Sequence, residues 1–135
     1  DARFSVRETK IAIVADLGTL QRLPLIVGQG HARELAFTGK DLSAERAERM
    51  GLVNEVFTDA TALAAGAAAL AAEIAGNAPL TVRGVKRVLD FGTGRRVADG
   101  LDYVAAWNSA FLASEDLGEA LGSFLEKRPA KFLGR

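Results

Sequence analysis

Apolar residues change their spacing along this chain, and the change separates a mixed first part from a helical second part. Arg3 to Val6 alternates polar and apolar positions, which predicts a short strand. Glu8 to Asp16 has no clean period and reads as a loop. Leu20, Leu23, Ile26 and Val27 then fall on one side of a helix over Gly18 to Val27, bent by Pro24 and ended by Gly28. A second short helix over 30–38 carries Leu35 and Phe37 and closes at Gly39. Ser43 is a good N-cap for a helix Ala44–Met50, with Gly51 as its C′ residue. Leu52 to Phe57, LVNEVF, is β-branched and alternating enough for a strand.

After Thr58 the pattern is nearly all helical. Leu63, Ala67, Leu70 and Ile74 recur at helical spacing in an alanine-rich stretch that favours helix and close helix approach. Asn77-Ala-Pro79 is a start signal with proline in the first turn. Val82, Val85 and Leu89 mark the stripe expected to be buried on the helix that follows, and Gly92 and Gly94 break it. Val97, Leu101, Val104 and Phe111 stripe the next helix; Leu117, Leu121, Phe124 and Leu125 stripe the last. A division at 1–58 and 59–135 follows from this change of pattern.

Composition narrows the possible chemistry. Of 135 residues, 49% are hydrophobic and 25% charged, enough to bury a core. Lys plus Arg equals Asp plus Glu at 17 each, so no basic excess points to nucleic acid. The chain has no cysteine, which excludes disulfides and thiolate metal sites within it. Its one histidine excludes a multi-histidine metal site. The longest apolar run is interrupted by Gly66 and Glu73, so no membrane span is expected, and a cytoplasmic location fits a cysteine-free chain. The spacing around Gly92 and Gly94 is not a dinucleotide fingerprint, since no strand precedes it. Two short strands do not make a stable sheet, so a sheet-rich half is expected before Asp1.

The segments GTLQRLPLIVG and ELAFTGKDLSAERAERMGLVNEVF, followed by NAPLTVRGVKRVL and SFLEKRPAKF, strongly resemble the crotonase, or enoyl-CoA hydratase/isomerase, superfamily. The resemblance covers the whole chain but only the C-terminal half of a member. It implies an α/β fold: the end of a spiral of ββα units, closing in a mostly helical region that joins subunits into trimers or hexamers and helps close an acyl pocket. The loop AIVADLGTLQRLP carries Asp16 where hydratases of the family usually have glycine. With DARFSVRE upstream and LDYVAAWNSAFL downstream, it looks like the Δ(3,5)-Δ(2,4)-dienoyl-CoA isomerases, whereas the tail FLEKRPAKF looks more like hydratases.

The resemblance implies a CoA thioester as substrate, with CoA entering as part of that substrate and no separate cofactor. An enolate-like oxygen would be held by two backbone N–H groups from segments before Asp1, where losing one such donor costs on the order of 3 kcal/mol. Glu8 matches the family's general acid/base glutamate. Desolvation beside an acyl chain favours a protonated carboxyl, which suits proton exchange at carbon. By the family pattern Asp16 takes the C2 proton and Glu8 serves the C6 end. Phe124 and Lys127 match positions that contact CoA from a neighbouring subunit, the ring on the adenine and the ammonium near phosphate.

Each of these residues also has a plain structural reading. Glu8 alone in a loop is ordinarily a solvated charge. Asp16 precedes a helix, where aspartate caps exposed N–H groups. Phe124 sits at core-stripe spacing with Leu117 and Leu121, and Lys127 suits a helix C-terminus. His31 is expected to be exposed and non-catalytic; Tyr103 and Trp107 are expected to pack rather than to stack on a ligand. Two further functions stay open: hydration of a 2-enoyl-CoA, with Glu8 and a second glutamate orienting water, and a non-catalytic helical module that packs its stripes on a partner chain.

Overall fold

The computed structural model describes residues 1–135. It is mostly helical with one small sheet. Strand β1, Arg3–Phe4, pairs antiparallel with β2, Leu42–Ser43, in the register Arg3 to Ser43 and Phe4 to Leu42. Six helices complete it: α1 Thr19–Thr38, α2 Ala44–Arg49, α3 Ala60–Ala75, α4 Pro79–Gly92, α5 Val97–Phe111 and α6 Glu115–Glu126. Compactness divides the chain into two units, Asp1–Ala64 and Ala65–Arg135.

In the first unit, α1 contains the interruption expected from the sequence. Gly28 has φ 78 and ψ 163, a break in helical geometry that glycine alone accepts easily, so two helical pieces meet there. The second piece ends at Gly39, whose φ is 54 and whose N–H donates to the Leu35 carbonyl at 2.9 Å. Ser43 caps α2 as predicted, its hydroxyl accepting from the Arg46 N–H at 3.3 Å, a contribution of about 1 kcal/mol. Val6, Ala15, Leu23, Val27, Leu35, Leu42 and Ala47 form the core, with Phe4, Met50, Leu52 and Val53 packed against it. Behind that core, Glu34 accepts both guanidinium bonds of Arg46, at 2.7 and 2.9 Å, and also bonds Lys40. Those bonds, Arg46's first, hold its carboxyl at about 2 and tie α1 to α2.

Two strand expectations need correction. The first strand covers only Arg3–Phe4, and Leu52 to Phe57 is irregular rather than extended. The N–H groups of Leu52 and Val53 donate to the Ala47 carbonyl, at 2.8 and 3.5 Å, and that of Val56 donates to the Glu48 carboxylate at 3.1 Å. Helix α2 thereby takes the donors that a sheet ladder would need. The β-branched pattern of LVNEVF reflects Leu52 and Val53 turning onto the core. The partner of β1 is Leu42–Ser43, a segment with no strand signature of its own.

The second unit corrects the expected burial more strongly. Its helices form as predicted, but Leu70, Ile74, Val85, Leu89, Leu101, Leu121 and Leu125 are all exposed. The apolar stripes are regular, yet this chain does not cover them. Helices α4 and α5 do meet, at Gly84. The Trp107 indole lies against that glycine, sits tilted beside Phe111 at 4.6 Å between centroids, and helps wall an apolar hollow of about 340 Å³. Tyr103 stacks on Phe91 at 4.5 Å, so both aromatics pack within the chain as expected. A Cβ on Gly84 would stand 2.5 Å from Trp107 Nε1 and 2.8 Å from Cε2. Gly84→Ala is therefore expected to destabilise by about 1–3 kcal/mol, since overpacking displaces the ring. A lowered denaturation midpoint with altered Trp107 fluorescence is the readout; an unchanged midpoint would show that the ring yields without cost.

The last residues fold back along α6. Asp116, buried in its first turn, accepts the N–H groups of Leu133 and Gly134 at 2.7 and 2.9 Å and donates its own N–H to the Arg135 carbonyl. Glu119 accepts two bonds from Arg128, at 2.5 and 2.9 Å, and the Lys131 N–H at 2.8 Å. The Arg128 guanidinium holds its carboxyl at about 2. Nothing in the apolar periodicity announced this clasp; the signal was the three acids Glu115, Asp116 and Glu119 in the first two turns of α6, followed by a basic tail.

Candidate active site

Glu8 opens a single 3-10 turn, Glu8–Ile11. The turn forms because the Lys10 N–H donates to the Arg7 carbonyl at 2.9 Å and the Ile13 N–H to the Glu8 carbonyl at 3.0 Å, closed by Ala12 in the left-handed region at φ 59. The local bond at residue 8 is thus made by its backbone, and the residue is partly buried. Beyond it, Ile11, Ile13, Val14 and Leu17 are exposed at 64%, 53%, 75% and 84%, while Ala15 is buried. The stretch between the two acids is an uncovered apolar surface rather than the solvated polar loop that exposure normally accompanies.

Asp16 lies at the far end of that surface and is exposed. It does not cap α1, which corrects the structural reading of this residue. Gly18 holds the N-cap position at φ 84, with no side chain bonding the first-turn N–H groups. Instead Arg22 folds back, its guanidinium donating to the Leu17 carbonyl at 3.1 Å and lying 3.1 Å from where a Gly18 Cβ would be. Both acids therefore sit on the one segment that leads into α1, each free of a local capping duty.

Phe124 and Lys127 end the chain's last helix. Phe124 is 81% exposed, so within this chain it is not a core residue despite its stripe spacing. Lys127 occupies the C-cap of α6 with φ 54, its N–H donating to the Phe124 and Ser123 carbonyls. The ring and the ammonium share one exposed helix end, at the C-terminal pole that favours a cation. His31 is half exposed, 3.8 Å from Glu34, as a surface residue of α1.

Sequence reasoning missed the residues that hold the Glu8 turn. Ser5 donates to the Gly39 carbonyl at 3.1 Å, Arg7 to Asp41 at 2.6 Å, and Thr9 to the Ala36 carbonyl at 2.5 Å. Polar residues at 5, 7 and 9 were the available signal, and it was read only as far as the strand.

The whole chain, residues 1–135, matches the family model described as enoyl-CoA hydratase/isomerase. It is 52% identical to a mitochondrial Δ(3,5)-Δ(2,4)-dienoyl-CoA isomerase of Dictyostelium discoideum, over 98% of this chain and 45% of that protein. It is 49% identical to a peroxisomal one of Arabidopsis thaliana, over 98% of this chain and 48% of that protein. Among solved structures, an enoyl-CoA hydratase from Bacillus anthracis superposes with a TM-score of 0.94 at 33% identity, over all of this chain and 52% of that one. The chain spans about half the length of the relatives it matches. The match to the family model over residues 1–135 makes the chain a member of the enoyl-CoA hydratase/isomerase family.

Proposed function

We propose that this chain carries the proton-transfer residues of a dienoyl-CoA isomerase. The observation that carries the reading is the 52% and 49% identity to two dienoyl-CoA isomerases, against 33% to a hydratase of nearly the same fold. Asp16 is compatible with it: the residue has no capping role at α1, so its carboxylate is free to meet a substrate. In the proposed reaction Asp16 removes a proton from C2 of a 3,5-dienoyl thioester. The C–H electron pair becomes the C2–C3 double bond, the C3–C4 pair moves to C4–C5, and the C5–C6 pair forms the new C6–H bond with a proton from a protonated Glu8. The dienolate between these events spreads its charge onto the thioester oxygen. Two acids separated by an apolar loop fit a substrate whose exchange sites are four carbons apart, better than one acid does.

Phe124 and Lys127 would receive the nucleotide part of CoA bound to a neighbouring subunit, the exposed ring on adenine and the ammonium on phosphate. The uncovered stripes of α3 to α6 support assembly of the chain into a homo-oligomer, a trimer or a hexamer, and leave little to support a free-standing helical module. CoA enters as part of the substrate, with no separate cofactor in the proposed reaction. No single helix is long and apolar enough to cross a membrane. Both relatives carry an organelle in their names, one mitochondrial and one peroxisomal, so we favour such a compartment over the cytoplasm.

The test offers the full-length protein a 3,5-dienoyl-CoA and a 2-enoyl-CoA. Conversion of the first should appear as the new absorbance of a diene conjugated to the thioester and proceed faster than hydration of the second. Hydration alone would replace this reading with that of a hydratase.

A further inference from the structure

We infer that Thr9, backed by the Arg7–Asp41 ion pair, is a positioning residue for Glu8, an inference that rests on the acid/base reading of Glu8 given above. The Glu8 side chain takes no part in the bonds that make its turn, so the location of its carboxylate depends on where the backbone of residues 7–9 is held. Both neighbours are anchored to the same stretch of chain. Thr9 Oγ1 donates to the Ala36 carbonyl at 2.5 Å, and Arg7 bonds Asp41 at 2.6 Å. Ser5 adds a third bond, to the Gly39 carbonyl at 3.1 Å.

The anchor point exists because a helix ends there. The last carbonyls of α1 have no partner within the helix. Leu35 accepts the Gly39 N–H, and Ala36 is completed by the threonine hydroxyl. Gly39 allows the approach: at φ 54, a Cβ would stand 3.0 Å from Lys10 Cγ and 3.3 Å from the Val6 carbonyl oxygen. A single bond thus satisfies the helix end and pins the turn one residue from the carboxylate. Proton transfer to carbon is steeply sensitive to such placement, with roughly hundredfold loss per ångström of displacement.

Removing the hydroxyl should therefore act through Glu8. In the full-length protein, Thr9→Val is expected to lower kcat by about tenfold with KM little changed, because a fraction of an ångström is lost and no substrate contact is. Thr9→Ser, which keeps the donor, should restore kcat. In a Glu8→Gln background, Thr9→Val should cost nothing further, since the group it positions is gone. Should Thr9→Val fail to fold, Asp41→Asn tests the second anchor at an exposed site by the same readouts. Equal losses in both backgrounds, or failure of Thr9→Ser to restore kcat, would reduce Thr9 to a structural role and overturn the inference. Glu8→Gln inactive with Thr9→Val at full kcat would overturn it alone. Full activity of Glu8→Gln would overturn the acid/base reading and this inference together.

Discussion

Glu8→Gln is expected to lower turnover by on the order of 10²- to 10⁴-fold, the range that a positioned acid/base group contributes. The amide matches the carboxyl in shape but neither gives nor takes a proton at carbon near neutral pH. Its effect should be confined to kcat. Residue 8 forms its turn through its backbone carbonyl, so the fold has no need of the acid, and the melting transition of the variant should match the parent. The proposed CoA contacts lie far along the sequence at Phe124 and Lys127, so KM should hold as well. This pattern, with kcat and kcat/KM falling together, marks a group that acts in the transition state rather than in binding. The measurement is steady-state kinetics on a 3,5-dienoyl-CoA beside a thermal melt of the same preparation. Retained kcat would remove Glu8 from the chemistry under the isomerase and the hydratase readings alike.

Asp16→Asn separates those two readings. Isomerisation needs a second proton-transfer group and should fall by a similar order, about 10²-fold or more. Hydration of a 2-enoyl-CoA, however slow in this protein, has no use for Asp16 and should survive. The structure also makes the variant clean. An N-cap aspartate would carry about 1 kcal/mol of helix stability, and its loss would blur the kinetics. Gly18 holds that position instead, so Asp16→Asn should leave the melting temperature where it was. A variant that melts lower yet isomerises at full rate would return Asp16 to a structural role. One in which both reactions persist would leave the dienoyl assignment without its second acid.

The legibility of the site follows the range of the interactions that build it. Glu8 and Asp16 could be picked out because the residues around them match a family pattern. The capping of α2 by Ser43, the break at Gly28 and the stop at Gly39 could be read because each depends on residues within one or two turns. Burial was misread wherever it depended on something distant. Val85 and Leu89 have the spacing of a core stripe and are exposed, because periodicity reports which face is apolar and not what covers it. LVNEVF was misread for a related reason: β-branched alternation describes a surface that can pair, while α2 had already claimed its N–H groups.

From the chain of residues alone came the helices, their caps and breaks, the family, and the two acids flanking an apolar loop. These rest on bonds and side-chain neighbours three or four positions apart, which spacing displays directly. Tertiary structure alone decided which segment pairs with β1, that Gly84 receives the Trp107 ring, and that the Glu8 turn is pinned by Thr9 and Arg7. The two pinning bonds join residues 27 and 34 positions apart, and their geometry arises only once α1 has ended and its last carbonyls are free to meet the Glu8 turn.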